Sequence, residues 1–200
     1  PRAYYVHCSS HLLNLAIAHS CSLPVMRNVI DTLRTMFIFF DWPKRSGLLD
    51  SITAKEHPPG SKRKPLIGLC KTRWAERHDS YGHFYTSYTY VVKALEVICA
   101  GLHKSEYDAE YTEAVWDSKT KTEANGLLTA ITNFQFIVNF MALYSFLSHL
   151  EGITVGLQKS ALDILEAYSK VAEVKTTYRS LRDGIDGAFA SIYRQAERVA

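Results

Sequence analysis

The chain has 200 residues, 47% hydrophobic and 22% charged, with a net charge of +3. That supports one or two globular domains with a real core and argues against a disordered chain. No secretory leader or bilayer span is expected: the N-terminus lacks a basic region followed by an apolar one, and the most apolar run, Phe134 to Leu150, is interrupted by Gln135, Asn139 and Ser145.

The first predicted element is a strand, Ala3 to His7, short and rich in β-formers. One strand cannot stand alone, so a sheet from a larger fold is expected to precede the helices. His7 to Cys21, "HCSSHLLNLAIAHSC", follows, with three histidines and two cysteines in an apolar setting. Cys8 and His11 share a helix face, but no second ligand pair exists at zinc-site spacing. No third group is placed to orient a Cys-His nucleophile. A buried thiol at Cys8 and a supporting His11, with no metal, is the simpler account. The four cysteines, Cys8, Cys21, Cys70 and Cys99, are spread as free thiols of a reducing compartment are.

Pro24 to Phe40 carries helical periodicity in Val25, Met26, Val29, Ile30, Leu33, Met36, Phe37 and Phe40. Pro24 suits the first helical position and Ser22 a cap. Pro43 ends the helix near Asp41. A short amphipathic piece, Lys44 to Ala54, precedes a loop, "HPPGSKRKP", His57 to Pro65. A long helix is predicted from about Thr72, its cap, to Leu102, with Trp74, Tyr81, Phe84, Tyr85, Tyr88, Val91, Val92, Leu95, Ile98 and Leu102 on one face. A polar connection runs to Thr120. Two more long helices are predicted, Thr122 to Leu150 and Val155 to Arg182, jointed at Gly152 and Gly156. The second is expected to bury Leu157, Leu162, Leu165, Tyr168, Val171, Val174, Tyr178 and Leu181. Beyond Gly184 and Gly187 a last helix carries Ile185, Phe189, Ile192 and Tyr193.

Charge is uneven. Lys44 to Arg77 holds nine basic and three acidic residues, a local +6 that leaves −3 for the rest. Such a segment is either a solvated loop or a polyanion contact. Arg73, Trp74, Arg77 and Lys71 at a helix start, with Lys62, Arg63 and Lys64 ahead of them, are the candidate contact residues. Lysine and arginine neutralise phosphates. An indole stacks on an unpaired base, although a tryptophan at the start of an amphipathic helix also serves as core.

Three stretches carry a resemblance. "YYVHCSSHLLNLAIAHS" resembles the CxxHxLNL segment of the hAT family of DNA transposases, in Cys8, His11, Leu13, Asn14 and Leu15. "CKTRWAERHDS" resembles its RW motif, in Arg73 and Trp74. "GITVGLQKSALDILEAYSKV" resembles the LQ-containing helix of domesticated relatives such as the zinc finger MYM-type proteins and the repressors of the inhibitor of the protein kinase.

The resemblance implies a ribonuclease-H-like domain interrupted by a helical insertion. Residues 1–21 would be the end of that core and residues 22–200 an elongated, all-α insertion domain. Cys8 and His11 would lie near the active site and Trp74 near cleaved DNA ends. The two catalytic aspartates would precede Pro1 and the glutamate would follow the insertion, so this stretch is not expected to be an enzyme or to hold a cofactor. Divalent metal is expected only in an intact transposase. The implied protein is nuclear, contacts DNA and bridges protomers, with no membrane role. The alternative is a transposase relic that serves as a protein-interaction and dimerisation scaffold in a transcriptional regulator.

Overall fold

The architecture comes from a computed structural model that describes residues 15, 16, 18, 19, 22–56, 66, 74–103, 106, 107, 111, 115–157 and 164–199, with backbone alone at 74–78, 152–157, 164 and 167. It is helical: α1 Pro24–Phe40, α2 Pro43–Glu56, α3 Trp74–Ala100, α4 Ser118–Ile131, α5 Phe134–Leu157, α6 Ile164–Asp183 and α7 Ile185–Val199. No strand occurs among the described residues. The expected strand Ala3 to His7 lies outside them, as do Cys8, His11, Cys21, Cys70 and the proposed cap Thr72.

The start of α1 corrects one expectation. Pro24 does open the helix, but the capping residue is Leu23, which makes no side-chain bond, so Ser22 is not the cap. A proline at the first position has no N–H to satisfy. The Leu23 carbonyl accepts from Met26 and Arg27. At the other end the Trp42 carbonyl accepts from Arg45 and Ser46, and α2 then runs past Ala54 to Glu56.

The helix expected from Thr122 to Leu150 is two helices, bent by 69° between Ile131 and Phe134. The Thr132 hydroxyl donates to the Leu128 carbonyl at 2.7 Å, and Asn133 Oδ1 accepts from the Gln135 and Phe136 amides at 2.9 and 3.4 Å. The Leu128 carbonyl thus takes both the amide and the hydroxyl of Thr132, and Asn133 takes two orphan amides of the next helix. Asp117 caps α4 likewise, accepting from the Thr120 amide at 2.9 Å. Gly152 and Gly156 are not a joint, because α5 continues through both to Leu157. Gly184 does separate α6 from α7, whereas Gly187 lies within α7.

The core is built around α3 and α5. α3 packs on α2, α4 and α5, and α5 packs also on α1, α6 and α7. Phe84, fully buried, meets Phe140 edge-on at 4.9 Å and Phe136 at 6.5 Å. Each such ring contributes on the order of 1.5–3 kcal/mol by leaving water. Tyr85 is exposed, but it stacks on Tyr144 at 5.3 Å. Tyr107 and Trp116, in the stretch read as a polar connection, are both buried.

No single helix is long and apolar enough to cross a membrane. The apolarity of α5 is accounted for by burial of Phe136, Ile137, Val138, Phe140, Met141, Leu143, Leu147 and Leu150. Leu165 and Tyr168, expected inside, are 74% and 75% exposed, and Leu102, Ile185, Phe189 and Tyr193 are about half exposed.

Candidate functional site

The basic segment is the site expected from charge, and the fold fixes its two ends. Glu56 closes α2 beside Lys93, and Trp74 opens α3. The stretch of α3 between Trp74 and Lys93 is roughly 30 Å long at the rise of an α-helix. Trp74 and Arg77 occupy the opening turn of α3. Lys62, Arg63, Lys64, Lys71 and Arg73 lie outside the described residues.

Three of the nine cations are already engaged within the chain. The Arg45 guanidinium lies over the Phe39 ring at 4.1 Å, donates to the Phe39 carbonyl at 3.2 Å and to Thr120 Oγ1 at 3.1 Å, and stands 3.6 Å from Glu123. Lys44 donates to the Val115 carbonyl at 2.9 Å and sits 4.5 Å above the Trp116 ring. Trp116 Nε1 is buried with no hydrogen-bond partner among the described residues; the cation over its ring compensates part of that cost. Lys55 lies 5.5 Å from the Tyr107 ring. These side chains tie α2 to the polar connection and to the start of α4, and Arg45 is the most fully engaged of the three.

Where the basic segment leaves α2, a polar cluster holds the chain. Lys93 Nζ is 2.6 Å from Glu56 Oε1, and the Tyr107 hydroxyl donates to the same oxygen. Burial pushes the Glu56 carboxyl up, but the bonds from Lys93 and Tyr107 outweigh it and hold the pKa below its ordinary value. Burial, with the carboxylate beside it, pushes the Tyr107 phenol up to about 12. His103, at φ 60°, bridges Glu106 at 2.9 Å and Glu96 at 3.3 Å. The Glu106 bond raises its pKa more than partial burial lowers it. The cluster is an ion-pair brace, with no group placed as nucleophile or base. Among the described residues no three His, Cys, Asp or Glu side chains converge on a metal position.

A second feature had no counterpart in the sequence reading. A cavity of about 400 Å³ opens between the start of α1, α5, the end of α6 and α7, lined by Leu23, Met26, Leu143, Phe146, Leu181 and Phe189 among others. Its polar groups are largely spent: the Tyr178 hydroxyl donates to the Phe146 carbonyl at 2.9 Å, and His149 Nδ1 lies 2.6 Å from the Ser145 carbonyl. Arg182 brings a guanidinium to the lining. A cleft of this size and character takes an apolar side chain or helix face. The signal in the sequence was the width of the apolar arc on α7. Ala188, Ile192 and Ala196 face the bundle, while Ile185, Phe189 and Tyr193, one step round, remain about half exposed.

No family model matches the chain, and no solved structure matches it. Along its whole length it is 25% identical, over 202 aligned residues, to the 52 kDa repressor of the inhibitor of the protein kinase of Mus musculus. It is 24% identical to the Homo sapiens protein of the same name. The chain spans about a quarter of the length of these relatives, 26% and 25%, and within that quarter it is similar to them from end to end.

Proposed function

We propose that this chain is the helical, non-catalytic scaffold of a transposase-derived nuclear regulator of the hAT type, and that its work is to hold protein partners. The apolar cleft between α1, α5, α6 and α7 carries the proposal, because it is a formed recess with little free polar group in it. Similarity to proteins named as repressors supports the regulatory sense. The engagement of Lys44, Arg45 and Lys55 weakens the competing account in which the basic segment does the main work. No cofactor enters the proposal. The test tethers the chain to a DNA-binding domain of known specificity beside a nuclear reporter. Reporter output is expected to fall, and Leu23→Glu, at an exposed edge of the cleft, should relieve the repression. Unchanged output with the chain expressed and folded would refute the scaffold role. So would metal-dependent plasmid cutting abolished by replacing one acidic residue of the chain.

A second role rests on the placement of Trp74 and Arg77 in the opening turn of α3. There they are suited to meet DNA alongside Lys62, Arg63, Lys64, Lys71 and Arg73. Trp74→Ala should weaken binding to distorted or single-stranded ends by roughly 1–3 kcal/mol, the scale of one base stacked on an aromatic ring, and affect duplex much less. If Trp74 is core instead, the same change lowers stability by roughly 3–5 kcal/mol and leaves the preference for distorted ends unchanged.

A further inference from the structure

We infer that α7 is a self-association surface, and that a second copy of this chain packs its own α7 against it in antiparallel orientation. The inference rests on the scaffold role just proposed and names one of its partners. Along the exposed edge of α7, Ile185, Phe189 and Tyr193 recur every four residues and are 44–54% exposed, Ile185 and Phe189 also bordering the cleft and Tyr193 meeting the Phe134 ring edge-on at 5.0 Å. Beside them runs a surface depression formed by Asp186, Ala190 and Arg194 with their apolar neighbours. Ala190 is exposed and Gly187 has open space around it. Small residues at this point let a second helix backbone come close.

The charges identify the occupant and its direction. Asp186 stands at the start of the face and Arg194 two turns later, and neither has an ion-pair partner among the described residues. A two-fold axis beside Ala190 places Asp186 level with Arg194 of the second copy, and the pair occurs twice, as an isologous interface requires. A parallel arrangement would set Asp186 against Asp186, Arg194 against Arg194 and Glu197 against Glu197, all like charges. Only the antiparallel orientation pairs Asp186 with Arg194. One helix face is smaller than the roughly 800 Å² per partner of a standard interface, so the dimer is expected to be reversible.

Sedimentation of the 200-residue chain over a range of concentrations tests this. A monomer–dimer equilibrium is expected. Asp186→Arg should weaken it about tenfold, the scale of a broken charge pair at an interface. The double variant Asp186→Arg/Arg194→Asp should recover the wild-type constant, and circular dichroism should show all three chains equally helical. A chain that stays monomeric at every concentration overturns the inference. So does a dimer indifferent to Asp186→Arg, or one that the double variant fails to restore. Reporter repression by a monomeric chain would overturn the α7 dimer and leave the scaffold role standing. Loss of repression with an intact dimer would do the reverse.

Discussion

Lys93 reaches Glu56 at 2.6 Å across the α2–α3 contact, at the last residue of α2, and Tyr107 binds the same carboxylate oxygen. Both ionic side chains are partly exposed, 32% and 25%, so the pair is screened by solvent. Glu56→Ala, which orphans a lysine and a phenol together, should cost about 1–2 kcal/mol in urea unfolding. The depressed carboxyl sets the pH dependence. Its contribution is present above the ordinary value of 4.5 and is lost as pH falls through the lower folded value. Melts of wild type and Glu56→Gln should therefore differ at about pH 6 and converge well below pH 4.5. A constant gap would show that the carboxylate is not the group responsible.

His103 works in the opposite sense. Its folded pKa is raised, so its pairing with Glu106 and Glu96 is fully present below the ordinary 6.5 and lost as pH rises through the folded value. Wild type should lose a little melting temperature from about pH 6 upward. His103→Asn should not, since asparagine tolerates the positive φ at this position but carries no proton.

Arg45→Lys is expected to destabilise by about 1–2 kcal/mol, because an ammonium cannot lie over Phe39 and also donate to the Phe39 carbonyl and to Thr120. The same change keeps the charge. If the chain binds DNA, Arg45→Met should leave the slope of log affinity against log salt unaltered. Replacing Lys62, Arg63 and Lys64 should reduce that slope by about one for every phosphate no longer neutralised.

Two helical glycines should respond with opposite signs. A Cβ at Gly126 meets nothing within 4 Å, so Gly126→Ala should stabilise by about 0.5–1 kcal/mol through helix propensity. A Cβ at Gly47 would stand 2.6 Å from the Tyr111 ring. Gly47→Ala must displace that ring, and its thermal melt should move downward.

Strong periodicity with a proline mark makes α1 legible in the amino-acid order alone, from Pro24 to Phe40. The buried face of α3 with Phe84 is legible in the same way, but its meeting with Phe140 is not, because periodicity marks a face and not the face it pairs with. The break at Thr132 and Asn133 does not. Both residues are polar within an apolar run, and their side chains act on backbone groups that periodicity does not register. The apolar stripe of α6 misleads in another way. Leu165, Tyr168 and Val171 recur every three residues, a spacing that winds round a helix, so the stripe leaves the face that Val174 and Tyr178 hold against the bundle. The cleft is illegible in the sequence because it is assembled from four separate helices. Charge counting overstates the basic segment because Lys44 and Arg45 make their contacts with residues more than seventy positions away.

Without the 69° corner at Thr132 and Asn133, the chain from Ser118 to Leu157 would be a single rod roughly 60 Å long. A straight rod meets α3 along one line and then departs from it. Folding the rod at two residues lets both halves pack on α3. Two short polar side chains thus stand at the bend that brings both helices onto α3. The chain closes a core with a hinge pin rather than with more hydrophobic residues.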